Sequence, residues 1–124
     1  MPRAYRLSCL LVLLLQAASS HGMASRQEQT LQSAMENATT AGLDPADYAG
    51  PDFATNLRRY LSDLHYGRID PAAAGHGLRT DRSRLDLDAT VAQLLASDDV
   101  AHDLAAVEPT FIHYHLLKAA LARY

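Results

Sequence analysis

Residues 53–71 read FATNLRRYLSDLHYGRIDP, a stretch that contains both a helix and its end. Its apolar residues recur at spacings of three and four and therefore share one helix face: Phe53, Leu57, Tyr60, Leu61 and Leu64. The pattern stops at Gly67, where glycine tolerates a positive φ, so we expect a left-handed cap. Arg68 and Asp70 follow, before Pro71. We expect them to form a local pair that fixes the turn, rather than a substrate clamp.

Upstream of this stretch, the sequence predicts one longer helix and one short turn. Ser25 and Glu28 have the spacing of a capping box. An apolar stripe follows and ends at Gly42: Leu31, Ala34, Met35 and Ala38. Asp44 and Pro45 then favour a second helix start, which reaches only as far as Tyr48 before Gly50 and Pro51 break it.

Downstream, Pro71 to Arg84 is predicted to be irregular, and three short helical patterns come after it. Asp86 or Asp88 begins the first, residues 97–99 begin the second, and the third runs to Tyr124 without a cap. The apolar positions are Leu87, Val91, Leu94 and Leu95, then Val100, Leu104 and Val107, then Phe111, Tyr114, Leu117 and Leu121. No alternating strand pattern occurs. We therefore expect a single small all-α domain of five or six short helices.

The amino-terminal residues have the three parts of a secretory signal. Arg3 and Arg6 precede an apolar run over residues 7–15, and small or polar residues follow. The run is about half the length needed to cross a bilayer as a helix, so we expect no stable membrane anchor after cleavage. We assign residues 1–24 to the signal and 25–124 to the mature domain. Cleavage after Ser19 and cleavage after Ala24 remain open.

Cysteine and charge content exclude several classes of function. Cys9 is the only cysteine and lies within the predicted signal, too early for the usual lipoprotein position. The mature chain would then have no disulfide, no cysteine nucleophile and no zinc-thiolate site. The net charge of −3 comes from interspersed acids and bases, which argues against nucleic-acid binding.

The six histidines do not form a recognisable site. His113 and His115 are two apart, so on a helix they point to different sides and cannot share one ion. Residues 75–78 read GHGL, which lacks the sulfur of the transpeptidase nucleophile motif His-Gly-Cys. Acidic pairs fall at helix starts, where capping explains them. We therefore expect no metal and no cofactor, and we interpret the aromatic residues as core before glycan platform: Phe53, Tyr60, Tyr66, Phe111 and Tyr114.

Three stretches occur together in a familiar order: residues 41–48 (AGLDPADY), residues 61–71 (LSDLHYGRIDP), and residues 107–109 (VEP) leading to 114–124 (YHLLKAALARY). From about residue 31 to the end, the chain resembles the helical scaffold domain of large periplasmic murein L,D-transpeptidases. The residues that we carry over as a structural signature are Gly42, Asp44, Pro45, Tyr48, Tyr66, Gly67, Arg68, Asp70, Pro71, Tyr114, Leu117 and Tyr124.

The resemblance implies a role in cell-wall biogenesis. In that family a signal peptide and this scaffold precede a peptidoglycan-binding module and a catalytic domain, whose cysteine and histidine exchange peptide cross-links. None of those catalytic positions lies in this chain, so no transpeptidase activity of this polypeptide is expected. The resemblance implies a non-catalytic periplasmic scaffold module, either an amino-terminal fragment or a stand-alone relative, whose apolar faces dock a catalytic domain.

Two other hypotheses stay open at this point. One is a stand-alone periplasmic interaction protein that binds peptidoglycan or a cell-wall enzyme through the tyrosines and Arg68. The other is a small hydrolase that uses His65 or His102 with nearby acids. If the scaffold hypothesis is right, an apolar patch should be exposed in the isolated chain. We then expect marginal stability or self-association.

Overall fold

Five α-helices make up most of the structure, a computed structural model that describes residues 26–69, 73, 75 and 84–124. Helix α1 covers 26–36, α2 Phe53–Tyr66, α3 Leu87–Leu95, α4 Val100–Val107 and α5 Ile112–Leu121. Short 3-10 helices, Ala38–Ala41 and Pro45–Tyr48, connect α1 to α2. The described ranges contain no strand, which confirms the predicted all-α class. The predicted signal and the Ser25 cap lie outside these ranges and stay predictions.

Aspartate side chains begin four of the helical segments; caps were predicted at Asp44, at Asp86 or Asp88, and at residues 97–99, but not at Asp52. Asp44 accepts from the backbone N–H of Ala46 at 3.0 Å, and Asp52 caps α2 through Ala54 in the same way. Asp86 and Asp99 cap α3 and α4 at 3.0 and 3.1 Å. Each contact satisfies one of the backbone donors that a helix start leaves without an intrahelical acceptor. These carboxylates are therefore occupied by local structure.

Two glycines end helical segments in different conformations. Gly42 has φ 77° and ψ 20°, the left-handed conformation, and its N–H donates to the carbonyls of Ala38 and Thr39. Gly67 has φ 75° but ψ 166°, with its N–H 2.8 Å from the Asp63 oxygen. The prediction of a left-handed cap at Gly67 is therefore correct for φ but wrong for ψ. The ψ of 166° directs the chain away from α2 in an extended conformation. The positive φ still requires glycine.

The hydrophobic core is built around α2, which supplies Leu57, Tyr60, Leu61 and Leu64 to it. The other buried members come from α1, from the 3-10 helices and the residues between them, and from α3 and α4: Leu31, Met35, Ala38, Leu43, Tyr48, Leu94, Val100 and Val107. The Tyr48 and Tyr60 rings meet edge to face with centroids 5.3 Å apart. The interpretation of Tyr60 as core is thus confirmed, and Phe53 packs partly buried against the same cluster.

Helix α5 departs from the predicted pattern. Its apolar stripe was expected to be core, yet no α5 residue is buried, and Phe111 and Leu117 are 59% and 71% exposed. The side chains that α5 turns toward the domain are the half-buried Tyr114 and Lys118. Leu121, 44% exposed, lies beside Gly42. Periodicity identified an apolar helix here, but nothing in the described residues covers it.

The predicted irregular segment from Pro71 to Arg84 lies mostly outside the described residues. Asp70, Pro71, His76 and Leu78 are among the residues that the structure does not describe. The expectations for them stay predictions. None of the helices in the described ranges has the length and apolar character that a membrane crossing needs.

Candidate functional site

The end of α2 and the turn after it bring the three signature stretches together in space. His65 Nδ1 donates to the Val107 carbonyl at 2.9 Å, and this bond connects the end of α2 to the end of α4. The Tyr66 hydroxyl accepts from the backbone N–H of Leu85, just before α3. Arg68 Nη1 lies 2.7 Å from Asp47 Oδ2 in the 3-10 helix Pro45–Tyr48. We call residues 65–68, the end of α2 and the start of the turn after it, the junction, because their side chains contact three separate segments.

Polar side chains between the 3-10 helix Pro45–Tyr48 and α2 form a second part of this junction. The buried Tyr48 donates its hydroxyl to Asp63 Oδ2 at 2.9 Å, and Arg59 Nη2 lies 3.6 Å from Asp47. Burial, and after it the hydrogen bond with the Asp63 carboxylate, raises the pKa of Tyr48 far above its ordinary value. Tyr48 therefore remains a neutral donor at physiological pH.

A third polar cluster connects α5 to the residues after α4. Lys118 Nζ lies 2.6 and 2.8 Å from the two carboxylate oxygens of Glu108. The Tyr114 hydroxyl is buried beside them, and within the described residues it has no hydrogen-bond partner of ordinary geometry. Burial first, and the Glu108 carboxylate second, raise the pKa of Tyr114 to about 12. The inward side of α5 is therefore polar.

A groove of about 950 Å³ lies between the turn after α2 and the start of α5. Leu64 and Leu43 contribute to its lining, and Ile69 and Phe111, at 74% and 59% exposed, supply large apolar side chains. Several polar side chains that line the groove already have partners in the domain: His65, Tyr66, Asp63 and Arg68. The groove thus combines large apolar side chains with polar side chains that already have partners within the domain.

The outward side of α5 continues from this groove. We call Phe111, Ile112, Leu116, Leu117 and Leu121 the α5 apolar face; the exposed fractions of these side chains run from 44% to 71%. Phe111 and Tyr114 belong both to the groove and to this end of the molecule. A helix with apolar residues on most sides is usually enclosed by other structure. Several large exposed apolar side chains on one short helix favour an interaction site.

The predicted signature residues fall into three groups. Five line the groove, namely Gly42, Tyr66, Gly67, Arg68 and Tyr114. Asp44, Pro45 and Tyr48 belong to the neighbouring 3-10 helix and its cap, whereas Leu117 and Tyr124 are exposed at the carboxyl end. Asp70 and Pro71 lie outside the described residues, so the predicted Arg68–Asp70 pair stays a prediction.

Sequence reasoning did not identify the partners that hold the junction together. Asp47, in the 3-10 helix Pro45–Tyr48, pairs with Arg68, two residues after the end of α2. Lys118 in α5 binds Glu108, which follows α4. Both pairs join different structural elements, and no local spacing rule relates such residues. Only the fold brings them together.

The histidines contribute no metal centre within the described residues, where no group of three or more His, Cys, Asp or Glu side chains could hold an ion. His113 and His115 are exposed on α5, and His102 is exposed on α4. His65 instead uses its ring nitrogen to fix the end of α4. Among the described histidines, His65 therefore has a structural contact, whereas His102, His113 and His115 are exposed.

The junction, the groove and the helical core belong to a small helical domain that leaves α5 largely uncovered among the described residues. The family model described as Scaffold domain matches residues 52–121, more than half of the chain, and the chain belongs to that family. The match covers α2 to α5, and with them the α5 apolar face and the groove lining other than residues 41–43. Comparisons with curated proteins and with solved structures find no match.

Proposed function

We propose that this chain is the non-catalytic scaffold module of a peptidoglycan cross-linking L,D-transpeptidase, exported to the periplasm for cell-wall biogenesis. The single observation that carries the proposal is the α5 apolar face. A module whose last helix exposes large apolar side chains, in a family named for a scaffold role, is suited to hold another domain. The resemblance of the three signature stretches supports a transpeptidase catalytic domain as that partner.

The shape of the domain supports a passive role for the rest of the molecule. The junction contacts of His65, Tyr66 and Arg68 fix the direction in which the chain passes from α2 to the later helices. They also hold the groove beside α5. In this proposal the junction sets the position of the docking surface, and the partner domain supplies all the chemistry.

Binding to a separately expressed catalytic domain tests the proposal. The catalytic domain of an L,D-transpeptidase from the same genome would be titrated with this chain in a calorimeter. We expect binding that Leu117→Glu weakens at least about tenfold, because the substitution places a charge in an apolar interface. Gln29→Glu, an exposed position on α1, is the matched control and should bind like the parent chain. Equal weakening by both variants, or no binding at all, contradicts the proposal.

A second candidate function is direct binding of peptidoglycan, and the groove beside Tyr66 and Arg68 is the observation that favours it. Sedimentation with purified sacculi separates the two functions. Retention of the parent chain that is lost on Tyr66→Ala and kept on Leu117→Glu supports glycan binding. Retention that no substitution changes, or no retention, leaves docking of a catalytic domain as the function.

A further inference from the structure

Helix α5 differs from the other helices in how it is attached to the domain. The core cluster contains residues of α1, α2, α3, α4 and both 3-10 helices, but none from α5. Tyr114 and Lys118 are the α5 residues of intermediate burial, and Leu121, 44% exposed, lies against Gly42. Apolar burial, which dominates the stability of the other helices, therefore contributes little to the position of α5.

The polar contacts of α5 are concentrated at one point. Lys118 binds both oxygens of Glu108, whose side chain is 14% exposed, and the Lys118 side chain is 34% exposed. The buried Tyr114 hydroxyl lies in the same cluster. Glu108 follows α4 directly, and an extended backbone at Glu108 (φ −62°, ψ 153°) leads through Pro109 into α5. The ion pair thus spans the connection between α4 and α5.

We infer that α5 is a hinged arm, which the Glu108–Lys118 pair holds against the domain and which opens without unfolding the α1–α4 core. Residues 108–111 are the hinge. Opening removes Phe111 and Tyr114 from the groove and exposes the Gly42 side of Leu121. The position of the α5 apolar face relative to the groove therefore changes when α5 opens. The Glu108–Lys118 pair sets the fraction of time that α5 spends closed.

The opening of α5 takes place in the free protein and requires no partner domain. If α5 opens independently and the chain binds no catalytic domain, the proposed function is wrong but the hinged arm is supported. If the chain binds the catalytic domain but α5 never opens alone, the arm fails and the proposed function remains. The two ideas are tested by different measurements.

Hydrogen exchange read by mass spectrometry tests the arm on the 124-residue chain. In low urea, we expect amides of residues 116–121 to exchange faster than those of residues 57–64 in α2, because a detached helix of ten residues is only marginally stable in water. Their exchange should also depend more weakly on urea, because a local opening exposes little surface. The same rate and the same urea dependence in both helices would mean that α5 opens only with the whole domain, and this outcome overturns the inference.

Substitutions test the role of the ion pair. Lys118→Met and Glu108→Gln should each speed α5 exchange about tenfold, the order of effect for a partly buried ion pair, and α5 exchange should keep its weak dependence on urea. Salt should speed exchange in the parent chain and not in either variant, because screening acts on the pair. Asp88→Asn is the control, since it removes the exposed Arg58–Asp88 pair between α2 and α3. If both α5 variants behave like this control, the pair is not what holds the arm.

Discussion

Arg68 Nη1 lies 2.7 Å from Asp47 Oδ2, so the residue that follows the end of α2 is tied to the 3-10 helix Pro45–Tyr48. Their side chains are 46% and 25% exposed, which makes the pair partly screened by solvent. The contact holds two of the three signature stretches together at the edge of the groove. Its strength therefore bears on the stability of the junction.

Replacing this cation should weaken the domain by a small amount. We expect Arg68→Met to lower the free energy of unfolding by about 0.5 to 1 kcal/mol, because half-exposed ion pairs contribute little. Urea unfolding followed by circular dichroism measures it. Arg58→Met removes the more exposed pair with Asp88 and should cost less. If Arg58→Met costs as much or more, the junction has no special electrostatic role.

The hydroxyl of Tyr48 should contribute more to the free energy of unfolding than the Arg68–Asp47 ion pair does. Tyr48 is 1% exposed and donates to the Asp63 carboxylate at 2.9 Å. Tyr48→Phe keeps the ring contact with Tyr60 and removes only the hydrogen bond, so we expect a loss of about 1.5 kcal/mol in the free energy of unfolding. Tyr124→Phe, at a fully exposed position, should leave the urea midpoint unchanged. A Tyr48→Phe variant as stable as the parent would contradict the assigned bond.

Alkaline pH should destabilise the domain through its buried tyrosines. Burial is the largest cause that raises the pKa of Tyr48, Tyr60 and Tyr114 above the ordinary value of 10.0, to about 12 for Tyr114. The folded chain then holds protons that the unfolded chain releases, so this stability is complete below pH 10 and is lost as the pH rises above it.

Urea unfolding between pH 8 and pH 12 measures this loss. Tyr48→Phe should make the decline shallower, because one of the groups with a raised pKa is gone, while Tyr124→Phe should not change it. A flat profile above pH 10 would show that the tyrosines ionise equally well in the folded and unfolded chains.

Gly42 and Gly67 should respond differently to substitution. Gly42 is in the left-handed conformation, where Asn is tolerated better than Ala. Gly67 combines φ 75° with ψ 166°, a region that is nearly restricted to glycine. We expect Gly42→Asn to cost less than Gly42→Ala, and both Gly67→Asn and Gly67→Ala to cost about 1 to 3 kcal/mol. Thermal unfolding ranks the four variants, and equal Asn and Ala costs at Gly42 would argue against the conformation described there.

The α5 apolar face should cause self-association of the free chain. Sedimentation velocity over a concentration series should show association that Leu117→Glu reduces, without loss of stability, because Leu117 is already 71% exposed. Leu57→Ala is the contrasting variant. It removes a fully buried side chain and should cost about 3 kcal/mol. If the parent chain is monomeric at all concentrations, the α5 apolar face does not cause self-association.

Local sequence patterns predicted most of the helices. The stripe that ends at Leu64, the aspartate caps and the stop at Gly42 all agree with the structure. They could be predicted because capping and i to i+4 contacts join residues that are neighbours in the chain. The same reasoning identified Tyr66, Gly67 and Arg68 as the residues of one turn.

The sequence by itself thus determined an all-α chain, the starts of its helices and the members of its scaffold signature. Only the tertiary structure decided that Arg68 pairs with Asp47, that Lys118 pairs with Glu108, and that α5 is left uncovered. The physical reason is that periodicity shows that a helix has an apolar side, but what covers that side depends on elements distant in sequence. The stripe of α2 is buried by other elements of the domain, whereas most of the stripe of α5 is exposed in the described chain.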